Sequence, residues 1–286
     1  MRRGILLALV ALLAPLAPLC LDPSKAISQY THDAWTSETD LPQTSVQSIL
    51  QSRDGYLWLG TQEGLVRFDG VRFSTVNSEN IWCIYEGRRG DLQICTYSGL
   101  LTQEGGRTRR TTARDGLSND RLNWVCEDAS GSLWVAAQVG LNRIRDGEIT
   151  VFTAKDGLPS DQVSCVLEAR GGVLWAGTAR GLARYEGGRF ATVGESAGFT
   201  RENVSRLYED SEGTLWIGTL GGGLVSLRKG RFARYGRDEG LTDPEVKSLL
   251  EDRDGNLWVG TQAGGLFRFR EGRFEAYSVA VLRADT

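Results

Sequence analysis

Apolar residues in this chain come in short bursts, each closed by Gly, Asp, Asn or Pro, and no stretch holds the 3.6-residue period of a helix. The bursts recur in a fixed order. Val246-Lys247-Ser248-Leu249-Leu250 reads as a first strand and ends in the turn Asp252-Arg253-Asp254-Gly255. Asp opens such a turn by bonding the backbone ahead of it, and Gly takes the left-handed position. Leu257-Trp258-Val259-Gly260-Thr261 reads as the second strand, Gly265-Leu266-Phe267-Arg268-Phe269 as the third, and Arg273-Phe274-Glu275-Ala276-Tyr277 as the fourth. A loop such as Asp156-Gly157-Leu158-Pro159 then opens the next unit.

The unit occurs six times. Its Trp falls at 58, 134, 175, 216 and 258, with Gln93 in the degenerate second copy, so the spacings are 35, 41, 41, 41 and 42. Four strands in about 40 residues, repeated, predict an all-β chain folded as a β-propeller. The blades are expected at 43–76, 80–113, 120–153, 161–193, 202–235 and 244–279, within a propeller domain of 27–279 and ahead of a tail at 280–286. Trp58, Trp134, Trp175, Trp216 and Trp258 are expected to be structural, packed on the adjacent blade, with the Gly two residues later leaving room. Ile27 to Trp35 reads as an orphan N-terminal outer strand. Either six blades close with a spare strand, or the chain is a truncated seven-blade ring.

Composition narrows the chemistry. A net charge of -3 gives no reason to expect nucleic acid. One His, His32, excludes any site that needs two. Neither a Gly-x-Ser-x-Gly elbow nor a calcium loop is present, and the acids recur once per turn, which argues for a turn role rather than for paired catalytic carboxylates. The motifs therefore call for no metal, no cofactor and no catalytic residue. Arg2 and Arg3 followed by the apolar run Ile5 to Leu13 read as an export signal over 1–26, placing the chain in the periplasm or outside the cell. Export permits disulfides. Cys83 aligns with Ser248 and Cys95 with Gly260, so the two should face each other across a hairpin, within reach of a disulfide. Cys126 and Cys165 fall in other blades and are expected as buried free thiols.

The pattern Glu-Asp-x-x-Gly-x-Leu-Trp-x-Gly-Thr, then Gly-Gly-Leu and Gly-x-Phe, resembles the two-component regulator propeller repeat. Asp210 to Thr219 and Asp252 to Thr261 match it almost position for position, and Trp35 to Val46 with Gly64 to Gly70 is similar to a first repeat of such sensors. The resemblance implies a periplasmic sensing module, here without the membrane span and the histidine kinase or diguanylate cyclase output of such sensors.

A binding site on such a ring should lie where two loop sets converge. The loops entering each first strand supply Gln43, Asn119, Asp161, Asn203 and Glu245; those between second and third strands supply Gln62, Gln138, Arg180 and Gln262. The function expected is non-enzymatic sensing of a carbohydrate or other small periplasmic ligand, with a separate sensor kinase or another propeller subunit as partner. The alternatives are a polysaccharide-acting lyase or glycosidase, and a non-signalling scaffold or truncated remnant.

Overall fold

The computed structural model describes Trp35, Leu41, residues 43–194, Phe199 and residues 201–277. The expected export signal, most of the orphan strand and the C-terminal tail lie outside the described residues. Among the described residues, twenty-four strands form six four-stranded antiparallel sheets, each in simple chain order. This is a β-propeller of six blades. Blade 1 is β1 (Val46–Gln51), β2 (Leu57–Thr61), β3 (Gly64–Phe68) and β4 (Phe73–Asn77); blade 2 is β5 (Ile81–Glu86), β6 (Leu92–Thr96), β7 (Gly99–Glu104) and β8 (Arg107–Thr111). Blade 3 is β9 (Leu122–Glu127), β10 (Leu133–Ala137), β11 (Leu141–Arg145) and β12 (Glu148–Phe152); blade 4 is β13 (Val163–Ala169), β14 (Val173–Thr178), β15 (Gly181–Glu186) and β16 (Arg189–Val193). Blade 5 is β17 (Val204–Glu209), β18 (Leu215–Thr219), β19 (Leu224–Arg228) and β20 (Arg231–Tyr235); blade 6 is β21 (Val246–Glu251), β22 (Leu257–Thr261), β23 (Leu266–Arg270) and β24 (Arg273–Tyr277).

Each position of the repeated motif has a structural task. The turn Asp bonds the backbone ahead and also takes the indole N–H of the Trp six residues on: Trp134 to Asp128, Trp216 to Asp210 and Trp258 to Asp252, each at 2.7 Å. In blade 1 the Ser52 hydroxyl accepts the Trp58 N–H instead, at 3.0 Å. The Gly after the Trp admits the next blade. A Cβ on Gly60 would lie 2.7 Å from Ile81, one on Gly177 2.5 Å from Val204, and one on Gly218 2.7 Å from Val246. The Thr closes the following turn, its hydroxyl donating to the carbonyl of Gly64, Gly99, Gly181, Gly223 or Gly265. At the foot of the first strand a Glu accepts a turn N–H from the preceding blade: Arg53 to Glu86, Arg88 to Glu127, Arg170 to Glu209 and Ser211 to Glu251.

Hydrophobic burial, the main favourable term in folding, is concentrated between blades. Five buried clusters occupy the five junctions from blade 1–2 to blade 5–6. Each joins the Trp side of one blade to the aliphatic side of the next, as Trp216 and Leu224 meet Val246 and Val259. Among the described residues no such cluster joins blade 6 to blade 1, and β21 and β1 do not form the inner-strand contact made by every other neighbouring pair. Both outer faces show it. Leu250 is 60% exposed, and Trp258 and Leu266 are only half-buried. Ile49 is 67% exposed where Ile84, Val125, Val166 and Leu207 are buried, although Val66 on the same side of blade 1 stays buried. Trp58, Trp134, Trp175 and Trp216 are buried as expected of core residues, so Trp258 departs from the stripe because no blade covers it.

Cys83 and Cys95 are register partners, as the alignment of repeats requires. The disulfide between them is not formed; both thiols are free and buried. They occupy a hydrogen-bonded ladder position, where facing side chains stand farther apart than at the alternate position. Cys126 and Cys165 are also buried free thiols, pushed up to about 12 by burial.

Candidate functional site

The two loop sets meet at one end of the blades. After the second strand, Gln138, Ala179, Leu220 and Gln262 donate backbone N–H groups to the carbonyls of Arg121, Gln162, Asn203 and Glu245 at 2.8–3.0 Å. Neighbouring blades are tied in the same way, Gly99 to Asp120, Gly140 to Asp161 and Gly221 to Pro244. Backbone groups satisfied at this density make the rim rigid.

The loops that enter the first strands are rigid as well. Ala113–Asp115 and Ala154–Asp156 are single 3-10 turns closed by capping boxes from Thr112 and Thr153. Gly157 follows at φ +98°, where a Cβ would collide with the Phe190 carbonyl, and Leu158 plugs the core. The Asp-Gly-Leu sequence is therefore a cap, a left-handed turn and an anchor.

Of the expected site residues, several hold these loops. Asn119 accepts the Arg121 N–H at 2.8 Å, Asp161 the Ala154 N–H at 2.7 Å, and Gln43 the Ser45 N–H at 2.6 Å. Asn203 is half-buried. Glu245 is exposed and lies 3.9 Å from Lys247. Gln62, Gln138, Arg180 and Gln262 project exposed from blades 1, 3, 4 and 6. The structure thus places all nine at one end and joins the two sets through backbone, while no hydrogen bond links their side chains to one another.

Sequence reasoning missed two groups here. Glu79 is gripped by both terminal nitrogens of Arg110 and by the Ser98 hydroxyl, and this pairing holds its carboxyl below the usual carboxylate range. On the inner strands, Arg206 of blade 5 lies over the Trp124 ring of blade 3, 5.0 Å from its centroid, a cation–π contact spanning blade 4. Every first strand has a register shift at its second residue, from Gln47 to Lys247. A bulge turns the side chains around it, and nothing in the strand pattern announces one. Among the described residues no cluster of His, Cys, Asp and Glu is placed to hold a metal ion.

The sequence profile of the two component regulator propeller family matches residues 40–63, 157–180, 198–221 and 240–263. Four segments of the chain thus match the two-component regulator propeller repeat. The matched segments are the turn and Leu-Trp-x-Gly-Thr strands of blades 1, 4, 5 and 6, the copies that keep Trp, Gly and Thr together. Among solved structures, the extracellular domain of the hybrid two component system BT3049 from B. thetaiotaomicron is 23% identical, with a TM-score of 0.72, over 85% of this chain and 36% of that one. Virginiamycin B lyase from Staphylococcus aureus is 14% identical, TM-score 0.69, over 82% of this chain and 85% of the lyase. PorZ, a surface component of the type-IX secretion system of Porphyromonas gingivalis, is 16% identical, TM-score 0.60, over 78% and 38%. At these identities the likeness is one of fold. No curated protein matches the sequence. No helix among the described residues is long and apolar enough to cross a membrane.

Proposed function

We propose that this chain is an extracytoplasmic recognition propeller of a two-component-type signalling system, acting by binding a carbohydrate or other small ligand rather than by catalysis. The observation that carries the reading is the rim itself. The rim presents Gln62, Gln138, Arg180 and Gln262 as exposed polar side chains, on loops tied by backbone hydrogen bonds. Exposed polar groups on a hydrogen-bonded loop framework suit ligand recognition, and pre-ordering lowers the entropy cost of binding. The BT3049 extracellular domain, with the same fold, belongs to a hybrid two component system. The leader-like start of the sequence agrees with export.

The enzyme alternative draws on the lyase likeness. The solved lyase is a catalytically inactive histidine-to-alanine variant. In this chain the single His, His32, precedes every blade, so the six sheets themselves carry no imidazole. The test is titration of the purified full chain with defined cello-, xylo- and manno-oligosaccharides by calorimetry, with product analysis alongside. Saturable binding is expected, weakened at least tenfold in the triple variant Gln138→Ala/Arg180→Ala/Gln262→Ala without a change in thermal unfolding. Cleavage of any oligosaccharide, or binding indifferent to the triple variant, would overturn the reading.

A further inference from the structure

At the opposite, turn end of the blades the repeat is broken in three copies, by Ser52 in blade 1, Gly87 in blade 2 and Ala169 in blade 4. In blades 3, 5 and 6 the residue six positions before the Trp is an Asp, and its carboxylate takes the indole N–H at 2.7 Å. In blade 4 that residue is Ala169. Trp175 keeps its place in the ladder, opposite Leu167 and Arg184, just as Trp216 lies opposite Tyr208 and Ser226. Its side chain is 9% exposed. With Ala169 in place of the Asp, the indole N–H has no built-in carboxylate and is open to an acceptor that a ligand brings.

A cleft of about 400 Å³ between blades 4 and 5 opens on this indole and on Ala169. Leu215 and Phe232 form an apolar wall, and the cations are Lys229, Arg170, which also pairs with Glu209 at 3.9 Å and donates to the carbonyls of Asp210 and Ser211, and Arg184, which pairs with Glu186 at 2.6 Å. The cleft one blade on, between blades 5 and 6, is similar in size at about 390 Å³ but opposite in charge. There two arginines face four carboxylates, one of them Asp210 on the Trp216 N–H. Of these two clefts, the one with more cations in its lining is the one that lacks the built-in carboxylate.

We propose that the cleft between blades 4 and 5 binds a small organic carboxylate with an apolar or ring-shaped body, its carboxylate accepting the Trp175 indole N–H where Asp210 does so one blade on. The site is separate from the polar rim and does not rest on it. The test is titration of the full chain with sodium benzoate, at ionic strength matched with sodium chloride, following indole N–H resonances by NMR, with Trp175 assigned from the Trp175→Phe spectrum. Benzoate should shift the Trp175 resonance saturably, and benzyl alcohol should not. Ala169→Asp, which supplies an internal acceptor, should weaken benzoate at least tenfold; if the Asp variant fails to fold, Trp175→Phe should do the same, read by calorimetry because that variant has lost the reporter resonance. The rim triple variant should bind benzoate as the wild type does, which separates this site from the rim. No saturable shift, equal binding of benzyl alcohol, or undiminished affinity in the folded variants would overturn the proposal.

Discussion

A single aspartate in the turn bonds both its own hairpin and the Trp of the following strand. Oδ1 of Asp252 accepts the N–H groups of Asp254 and Asn256, and Oδ2 accepts that of Trp258. Burial acts to raise its pKa, but the hydrogen bonds from Trp258, Asn256 and Asp254 outweigh it and hold the carboxyl below its ordinary value; Asp128 behaves alike. A carboxyl with a depressed native pKa contributes stability that is present above its unfolded value, near 3.9, and lost as pH falls through the native one. Urea midpoints should therefore drop between about pH 4 and pH 2 in the wild type. Asp252→Asn should be less stable at pH 5 by roughly 1–3 kcal/mol, the range for hydrogen bonds to charged groups, and should lose less over the acid window. Parallel curves for the two proteins would contradict this assignment.

At the scale of the element, the second strand shows how much of the motif belongs to its own blade and how much to the next. Trp and Thr are satisfied locally, by the turn behind and the turn ahead. Gly is required by the neighbour. Alanine at Gly218 would press on Val246 of blade 6, whereas alanine at Gly260 would meet only the exposed side chain of Ser248 in its own blade. Gly218→Ala should cost about 1–3 kcal/mol, as overpacked cores do. Gly260→Ala should cost under about 1 kcal/mol, because Ser248 can rotate away and the lost glycine entropy partly offsets the contact. Chemical denaturation of both variants checks it, and equal losses would mean that blade 6 is covered after all. The two glycines stand in near-identical sequences, so this difference is invisible in either strand read alone.

For the whole molecule, five junctions among six blades make a quasi-linear array in which each unit is stabilised by its neighbours. Blades 3 and 4 are covered on both sides. Blade 6 exposes Leu250 and half of Trp258, and blade 1 exposes Ile49. Local opening follows such differences in burial. Amide hydrogen exchange should be slowest in β10 and β14, and faster in β22 and β2. Uniform protection across the second strands would show that the outer faces are joined in solution.

Strand order, period, turn positions and the register of Cys83 on Cys95 follow from the sequence because each is set by neighbours within one unit of about 40 residues. Alternation, an Asp-started turn and a Gly at positive φ act over a few bonds, and six near-copies average out the exceptions. The same reasoning brought the nine rim residues to one end of the ring. It did not show that Asn119, Asp161 and Gln43 bond their own loops, because that depends on where each loop's backbone donors point. Tertiary structure alone decided that Trp258 is half-buried while Trp216 is buried, that Arg206 reaches Trp124 across a blade, and that Trp175, beside Ala169, lines a cleft with Arg170, Arg184 and Lys229. Arg206 and Trp124 are two repeats apart in the chain and 5.0 Å apart in space, the cleft beside Trp175 needs blade 5, and the burial of a Trp depends on a neighbouring blade, none of which a local pattern encodes.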